Sequence, residues 1–454
     1  MRNDDSPADM IFDGLGNIII TGTSKGTITD YDIVTIKYDS FGNRVWVKRY
    51  NGTANKIDIG YALATDLQGN ILITGRSAGF LQATGTQTFD DLIVIKYTYA
   101  GIEEWVQRYN DASNSNDGGL TVTTDGENVY AGGYCGSNGQ NADFITIKYS
   151  SQGTVEWVRK VSSPQSDQCS KILYNHNNGE MYSCGTGQND IIVLCYDGAG
   201  ILKWQTNDYN LMSDFTSAVL DNNGILYLLG YTELYGTLDY AILALNTTLN
   251  GGVSWLDTYN GPGSGTDIPC DIKVDNSSNI YITGSTQNSG TGMSYTTLKY
   301  NISGIRQWGK SYNHNGVGSN IAASLALDNN GNVFVTGISE NTSADYDFAT
   351  VKYSQGIVFK KQGSEMPAEF KLHQNYPNPF NPATNIKFDI PGSGNVKIAV
   401  YDMLGRGVKI LADEYKEAGS YEINFDASAL SSGTYFYKIT AGDFSDIKKM
   451  VIIK

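Results

Sequence analysis

The sequence predicts an all-β protein, and three observations support this fold class. Charged residues make up 17% of the 454 residues, and the chain contains 51 Gly and 31 Tyr, which suits short strands and tight turns better than long helices. The motif GNIIITG at 16–22 returns as GNILITG at 69–75. No long segment of the chain shows clear helical periodicity.

Seven copies of one repeat fill most of the chain. Aligned on the glycine that closes the motif, successive copies lie 45 to 58 residues apart. We expect this glycine to end a strand and release the chain into a variable loop. The seven glycines are Gly22, Gly75, Gly133, Gly185, Gly230, Gly284 and Gly337.

Each copy contains four short segments in one order. An apolar run ending at an Asp turn comes first, then the motif, an Asp-led segment such as DIVTIKY at 32–38, and a segment centred on a tryptophan. In the seventh copy GIVFKK at 356–361 takes the last place, with Phe359 in the tryptophan position. Four strands form an antiparallel meander that cannot bury both faces alone, whereas seven meanders stacked radially can. The pattern predicts a seven-bladed β-propeller with its six tryptophans in blade packing, at Trp46, Trp105, Trp157, Trp204, Trp255 and Trp308.

The composition changes after Lys361. Five of the nine prolines fall within 367–391, and short alternating segments follow from Asn385 onward. These features indicate a boundary followed by a compact β-sandwich. The predicted domains are a seven-bladed β-propeller at 1–361, a Pro-rich linker at 362–384 and a small C-terminal β-sandwich at 385–454.

The repeats resemble the bacterial β-propeller repeat family of secreted and cell-surface proteins. The resemblance covers residues 5–361, through the pattern D..GNIYITG....D....KY...G...W...YN. It implies the fold and no particular activity, because propellers host many functions.

The C-terminal segment resembles the type A sorting domain of the type IX (Por) secretion system, used by bacteria of the Bacteroidota kind. The matching stretches are QNYPNPFNPATNIKFDIP at 374–391, VKIAVYDMLGRGVKIL at 396–411 and AGSYEINFDASALSSGTYFYKI at 418–439. The resemblance implies a secretion translocon as partner and a secreted or outer-surface location. The motif residues carried over are Tyr376, Pro377, Asn378, Pro379, Phe380, Gly405, Arg406, Gly433 and Tyr435.

The N-terminal residues contain no apolar signal-peptide core, and the chain has no apolar run long enough to cross a bilayer. Two explanations stay open for how the ring of blades closes. Either the first and last blades only pack against each other, or the natural chain continues upstream of residue 1. We favour the second, because RND at 2–4 resembles the RYND that ends at Asp111.

The net charge of −15 argues against nucleic acid or an anionic membrane surface as a partner. Aspartates recur where the first and third strands of a copy begin, and both sets are expected on one acidic face. That face could hold a cation or a basic ligand, although recurrence favours pinning of loops through backbone N–H groups. The candidate binding residues are Asp32, Asp58, Asp91, Asp117, Asp143, Asp190, Asp239, Asp267 and Asp347.

A further set of aspartates precedes the motif, where turn formation is favoured over calcium binding. This set comprises Asp13, Asp66, Asp125, Asp221, Asp275 and Asp328.

The predicted function is a binding or scaffold module for an extracellular glycan or protein. One alternative is an enzyme that acts on an extracellular carbohydrate polymer through carboxylates at the mouth of the propeller's central channel. The other is a structural adhesin segment. No catalytic residue, metal ligand or cofactor is assigned, with calcium the one ion that the acidic face could take. Five cysteines are expected as buried thiols, although a disulfide between Cys169 and Cys184 is conceivable.

Overall fold

A computed structural model shows two compact units. The first comprises Met1–Asn329 and Val333–Lys352, and the second comprises Asn330–Asn332 and Tyr353–Lys454. The structure describes all residues except 1–4, 27–28, 82–85, 113, 137–140, 188–189, 207–211, 234–235, 289–290, 315–317, 329–330, 341–345, 355–359, 362–366, 428–429, 443 and 454.

Antiparallel sheets follow one another along the first unit, and in sheets 1 to 6 four strands pair in chain order. Sheet 1 contains β1 (Asp5–Phe12), β2 (Ile18–Lys25), β3 (Tyr31–Tyr38) and β4 (Arg44–Tyr50); sheet 2 contains β5 (Asp58–Thr65), β6 (Ile71–Leu81), β7 (Thr86–Tyr97) and β8 (Glu103–Tyr109). Sheet 3 contains β9 (Asp117–Thr124), β10 (Val129–Cys135), β11 (Asp143–Tyr149) and β12 (Val155–Val161); sheet 4 contains β13 (Gln168–Asn175), β14 (Glu180–Gly187), β15 (Asp190–Tyr196) and β16 (Leu202–Thr206).

Sheets 5 and 6 repeat this order, and the structure shows three strands in sheet 7. A short 3-10 helix (Thr247–Leu249) joins the last two strands of sheet 5. Sheet 5 contains β17 (Asp214–Leu220), β18 (Ile225–Thr232), β19 (Asp239–Asn246) and β20 (Gly252–Tyr259); sheet 6 contains β21 (Asp267–Val274), β22 (Ile280–Asn288), β23 (Thr291–Tyr300) and β24 (Arg306–Tyr312). Sheet 7 contains β25 (Asn320–Leu327), β26 (Val333–Glu340) and β27 (Tyr346–Tyr353).

The segment predicted as the fourth strand of the seventh repeat, 356–361, is described by the structure only at its last two residues. Phe359 lies outside the described residues, and Lys360–Lys361 form β28, which pairs with Tyr421 and Glu422 in the second unit. The edge of that sheet offers unpaired backbone groups, so the short segment completes it there. The predicted propeller boundary at residue 361 therefore includes residues that pair with the second unit.

Successive sheets bury alternate residues of each strand against their two neighbours. On β7, Ile93 joins the cluster shared with Ile33 of sheet 1, whereas Leu92 and Val94 join the cluster shared with Ile145 of sheet 3. This alternation follows from the two-residue period of a strand. At the end of the series, Phe348 on β27 is 93% exposed.

The glycine that closes the repeated motif lies inside the second strand, not at its end. Gly133 pairs with Gly119 where β9 bulges, and a Cβ on Gly133 would lie 1.9 Å from the carbonyl oxygen of Gly118. The prediction that this glycine releases the chain into a loop was therefore wrong, because close approach of two backbones requires it. The other six have a first-strand carbonyl oxygen at 1.9 to 2.2 Å from the corresponding Cβ position: Gly22, Gly75, Gly185, Gly230, Gly284 and Gly337.

Tryptophans of the fourth strands connect neighbouring sheets. Trp105 donates its indole N–H to the carbonyl of Ser151 in sheet 3 at 3.0 Å and stacks on Tyr149. Gly153, with φ of +84°, packs its backbone on the same indole. Equivalent indole bonds join Trp46 to Tyr99, Trp157 to Gly198 and Trp255 to Ile302.

Two further sheets make up most of the second unit, and side chains from both share one buried cluster that includes Phe388, Ile423, Ile398 and Tyr437. Sheet 8 contains, in spatial order, β28 (Lys360–Lys361), β33 (Gly419–Asp426), β30 (Ala383–Ile390) and β29 (Lys371–Leu372). Sheet 9 contains β32 (Gly407–Lys416), β31 (Gly394–Tyr401), β34 (Gly433–Ala441) and β35 (Phe444–Ile452).

Candidate functional site

Several aspartates that open the first strand of a sheet are buried and bound to backbone amides. In sheet 2, Asp58 accepts the N–H of Gly52, six residues earlier, at 2.7 Å, and the hydroxyl of Ser77. These bonds hold the loop that enters the sheet. Sheets 3 and 6 contain similar bonds. The N–H groups of Asp111 (2.8 Å) and Gly136 (3.0 Å) donate to the carboxylate of Asp117, and those of Gly261 and Gln287 (3.0 Å) donate to Asp267.

Two third-strand aspartates, Asp32 and Asp91, are neutralised by an arginine of the same sheet. Arg49 Nη1 lies 2.9 Å from Asp32, and Arg108 contacts Asp91 through Nε at 3.0 Å and Nη2 at 2.9 Å. In the β-ladder each arginine stands opposite the residue two positions after its aspartate. The negative charges of Asp32 and Asp91 are thus compensated within their own sheets.

The remaining predicted residues differ from one another. Asp143 and Asp190 are half-buried, Asp347 is exposed, and Asp190 accepts the N–H of Ile191 at 2.7 Å. The nine predicted aspartates therefore do not form one set of equivalent groups.

Asp239, the third-strand aspartate of sheet 5, has a different environment. It is fully buried, and among the described residues neither carboxylate oxygen has a hydrogen-bond partner within 3.5 Å, although the Thr237 hydroxyl lies near enough to oppose the rise in its pKa. At the ladder position that Arg49 and Arg108 hold, opposite Ala241, β20 carries Thr258. Burial raises the pKa of Asp239. Sheet 5 thus lacks the arginine that neutralises the equivalent carboxylates in sheets 1 and 2.

Burial also raises the pKa of Asp58, Asp117 and Asp267, and that of Asp117 reaches about 6. Backbone N–H groups oppose these shifts. The carboxylate of the preceding sheet adds a smaller rise, from Asp91 in the case of Asp117 and from Asp239 in the case of Asp267. Third-strand and first-strand aspartates of successive sheets therefore lie close together.

The raised pKa of Asp117 predicts an unusual pH dependence. The native state binds this proton at higher pH than the unfolded chain, so the contribution of Asp117 to the free energy of unfolding falls as the pH rises from about 4 to about 6. Relative to Asp117→Asn, the unmodified chain should lose about 2 kcal/mol across that window. Urea denaturation of both chains between pH 4 and pH 7.5 measures this difference, and a pH-independent difference would contradict the prediction.

The aspartates before the motif shape turns. Asp13 accepts the N–H groups of Leu15 and Asn17 at 2.9 Å, and its other oxygen lies 3.0 Å from Lys37 Nζ. Lys37 is buried, with its ammonium 3.3 Å from the centroid of the Tyr99 ring. The same turn bonds are made by Asp66, Asp125, Asp221 and Asp275.

Lys171 on β13 is a candidate that the sequence analysis missed. At the equivalent position after the first-strand bulge, Asp9 accepts the N–H of Leu63 at 2.7 Å and Asp271 that of Leu325 at 2.9 Å, linking each sheet to the next. An ammonium cannot accept such a bond. Lys171 is the one cation at this position among the seven sheets, and only the register of the bulges identifies it. The position varies in the other sheets, where it is held by Ala62, Thr121, Ser217 and Ser324.

The surroundings of Lys171 come from distant parts of the first unit. Burial and the charge of Lys273 lower the pKa of Lys171, while Asp271 and Asp9 act in the opposite direction. First strands of sheets 1, 4 and 6 are therefore within electrostatic reach of one another.

The predicted sorting residues occupy defined positions in the second unit. Phe380 is buried and its N–H donates to Val451 at 3.0 Å, while Asn378 accepts the N–H of Val451 at 2.9 Å. Tyr376 is 81% exposed. The tail of the motif thus pairs with the last strand and presents one tyrosine to solvent. Arg406 binds Asp402 at 2.7 Å in the turn that contains Gly405, Tyr435 donates to Ser431 at 3.1 Å, and Gly433 begins β34.

Cysteine and metal chemistry is limited in the described part of the chain. All five cysteines are free thiols, and four are buried, so the Cys169–Cys184 disulfide is not formed. Within the described ranges, no group of three or more His, Cys, Asp or Glu side chains could hold a metal ion. Over the same ranges, no helix has the length and apolar character needed to cross a membrane.

Comparison with protein families gives two matches. Residues 374–454 match the secretion system C-terminal sorting domain, and residues 45–80 match the beta-propeller repeat. The presence of a beta-propeller repeat and of a C-terminal sorting domain, both expected from the sequence, is confirmed.

Among curated proteins, the chain is 27% identical over 164 residues to an uncharacterized WD repeat-containing protein of Acanthamoeba polyphaga mimivirus, covering 31% of this chain and 11% of that protein. A crystal structure of a protein from Lactobacillus plantarum aligns with a TM-score of 0.39 at 10% identity, covering 79% of this chain and 99% of that one. Prolyl oligopeptidase B from Galerina marginata aligns with a TM-score of 0.42 at 8% identity, covering 96% of this chain and 56% of that one. At these TM-scores neither likeness bears on activity.

Proposed function

From the premise that the chain is a secreted β-propeller protein with a type IX sorting domain, we propose that it is a binding or scaffold module displayed outside the cell. In this proposal the sheets of the first unit are the blades of a seven-bladed propeller, and the two sheets of the second unit form a sandwich. The ligand is an extracellular glycan or protein.

The placement of Lys171 supports a radial arrangement of the blades. Its charge interacts with Asp9 of sheet 1 and with Asp271 and Lys273 of sheet 6, although sheets 1, 4 and 6 are far apart in the chain. First strands that line a common axis would bring these four side chains together.

We prefer a binding module to an enzyme because most of the predicted acidic residues are already bonded within the fold. Asp58, Asp117 and Asp267 accept backbone N–H groups, and Asp32 and Asp91 are paired with arginines. Groups held in this way stabilise the scaffold and are poorly placed to transfer protons to a polymer. The carboxylates proposed for the enzymatic alternative are thus largely occupied.

Two features depart from the repeat and are candidate contact surfaces. One is the group around Lys171, which places a cation where sheets 1 and 6 have an aspartate that binds the next sheet. The other is the hairpin of β6 and β7, which runs to Leu81 and resumes at Thr86 and is longer than the corresponding hairpin of sheet 1. Recognition commonly resides in such departures from a rigid scaffold.

An array of extracellular polysaccharides and proteins, probed with the full chain, tests this function. We expect saturable binding to at least one class and at least tenfold weaker binding by Lys171→Met, because the ammonium is the charge that departs from the repeat. Lys203→Met, on β16, is the matched control and should bind like the unmodified chain. Release of reducing ends from a polysaccharide would favour the enzyme instead, and absence of any binding would contradict the module.

A further inference from the structure

Four buried oxygen atoms without hydrogen-bond partners among the described residues gather where β19 begins. They are both carboxylate oxygens of Asp239, Oγ1 of Thr237 and Oδ1 of Asn260. Tyr240 pairs with Tyr259 in the ladder, so Asn260 continues its strand opposite Asp239. Buried polar atoms are normally paired, and each unpaired one costs about 1 to 3 kcal/mol. Three of these atoms, the carboxylate and amide oxygens, can only accept, so the cluster indicates a ligand that offers positive charge.

Asp267 of sheet 6 adds a second carboxylate to this cluster. Its N–H donates to the carbonyl of Leu238 at 2.6 Å, directly before Asp239, and the charge of Asp239 contributes to the raised pKa of Asp267. Among the described residues, no cationic side chain lowers the pKa of either carboxyl group.

The equivalent carboxylate pairs of sheets 1 and 2 and of sheets 2 and 3 have their own cation. Asp91, which adjoins Asp117, is paired with Arg108, and Asp32, which adjoins Asp58, is paired with Arg49. Between sheets 5 and 6 the arginine position is occupied by Thr258, which leaves two negative charges uncompensated. A divalent cation supplies the missing charge.

We propose that Asp239, Asp267, Asn260 and Thr237 form a calcium site at the junction of sheets 5 and 6. Carboxylate, amide and hydroxyl oxygens are the donors that Ca²⁺ prefers, whereas zinc and copper favour nitrogen and sulfur. Ca²⁺ also tolerates irregular geometry better than Mg²⁺, which retains its waters. The site is independent of the proposed ligand-binding function and takes over the role of the arginine in sheets 1 and 2.

Thermal unfolding and calorimetric titration of the full chain test the site. After removal of divalent ions with a chelator, CaCl₂ should raise the melting temperature saturably by about 2–5 °C, with a smaller rise from MgCl₂. Asp239→Asn should abolish the rise and weaken Ca²⁺ binding at least tenfold. Asp91→Asn, the equivalent change in sheet 2, should leave the calcium response intact.

Thr258→Arg supplies a second variant that does not remove a carboxylate. A guanidinium at this ladder position should raise the calcium-free melting temperature and abolish the calcium response. No calcium response in the unmodified chain would overturn the site, as would an unchanged response in both Asp239→Asn and Thr258→Arg. If Asp239 merely keeps its proton, Asp239→Asn would melt like the unmodified chain at every calcium concentration, which would also overturn it.

Discussion

Replacing Gly133 by alanine is expected to destabilise the first unit by at least about 4 kcal/mol. The added Cβ would lie 1.9 Å from the carbonyl oxygen of Gly118 and 3.0 Å from the Cα of Gly119. Both atoms belong to a bulged backbone held between two sheets, so neither can move without breaking the ladder. Guanidinium denaturation followed by circular dichroism measures the loss.

Gly198→Ala is the matched control, because a Cβ at Gly198 meets no atom within 4 Å. That variant should stay within about 0.5 kcal/mol of the unmodified chain. Equal stability of the two variants would show that the first-strand bulge can relax, and would remove the physical explanation offered for the seven motif glycines.

Arg108→Met is expected to cost on the order of 3 to 5 kcal/mol at neutral pH. Arg108 donates to Asp91, to the hydroxyl and carbonyl of Ser77, and to the carbonyl of Ala78, each within 3.0 Å. Its loss leaves the buried Asp91 carboxylate unpaired and two carbonyls without a donor. Urea denaturation at pH 7.5 measures the effect.

Repeating the urea denaturation of Arg108→Met at lower pH distinguishes the loss of the ion pair from the loss of side-chain packing. Burial already raises the pKa of Asp91, and without Arg108 it should rise further, so the destabilisation should shrink as the pH falls and Asp91 becomes protonated. Arg44→Met, an exposed change on β4, should alter stability by less than about 0.5 kcal/mol. A loss with Arg108→Met that does not vary with pH would contradict the ion-pair explanation.

The repeated landmarks were sufficient to predict the order of the first three strands, because they follow one another in the same order from copy to copy. The apolar run before the turn, the motif and the segment after the loop form the first three strands of sheets 1 to 7. The last strand of the seventh copy was not predictable in this way. Lys360 and Lys361 carry no tryptophan landmark, and their pairing with β33 depends on a free sheet edge that is not visible in a linear pattern.

The roles of individual aspartates could not be predicted from recurrence. Asp91 and Asp239 look equivalent in sequence, although Asp239 opens β19 and Asp91 lies within β7. Their difference arises on another strand, where Arg108 or Thr258 stands opposite, and this requires the cross-strand register. Alignment of the fourth strands on their tryptophans would have shown that one position changes from Arg to Thr.

The indole bonds of the tryptophans have a consequence for how such a chain can evolve. The indole N–H groups of Trp46, Trp105 and Trp157 each donate to a carbonyl of the following sheet. Interactions between nearest neighbours add up along a series. Each duplicated repeat carries both an indole donor for the sheet that follows and a carbonyl acceptor for the sheet that precedes it. Gain or loss of whole repeats therefore needs no new contacts within the series, and its cost falls on the terminal sheets, of which sheet 7 leaves Phe348 uncovered.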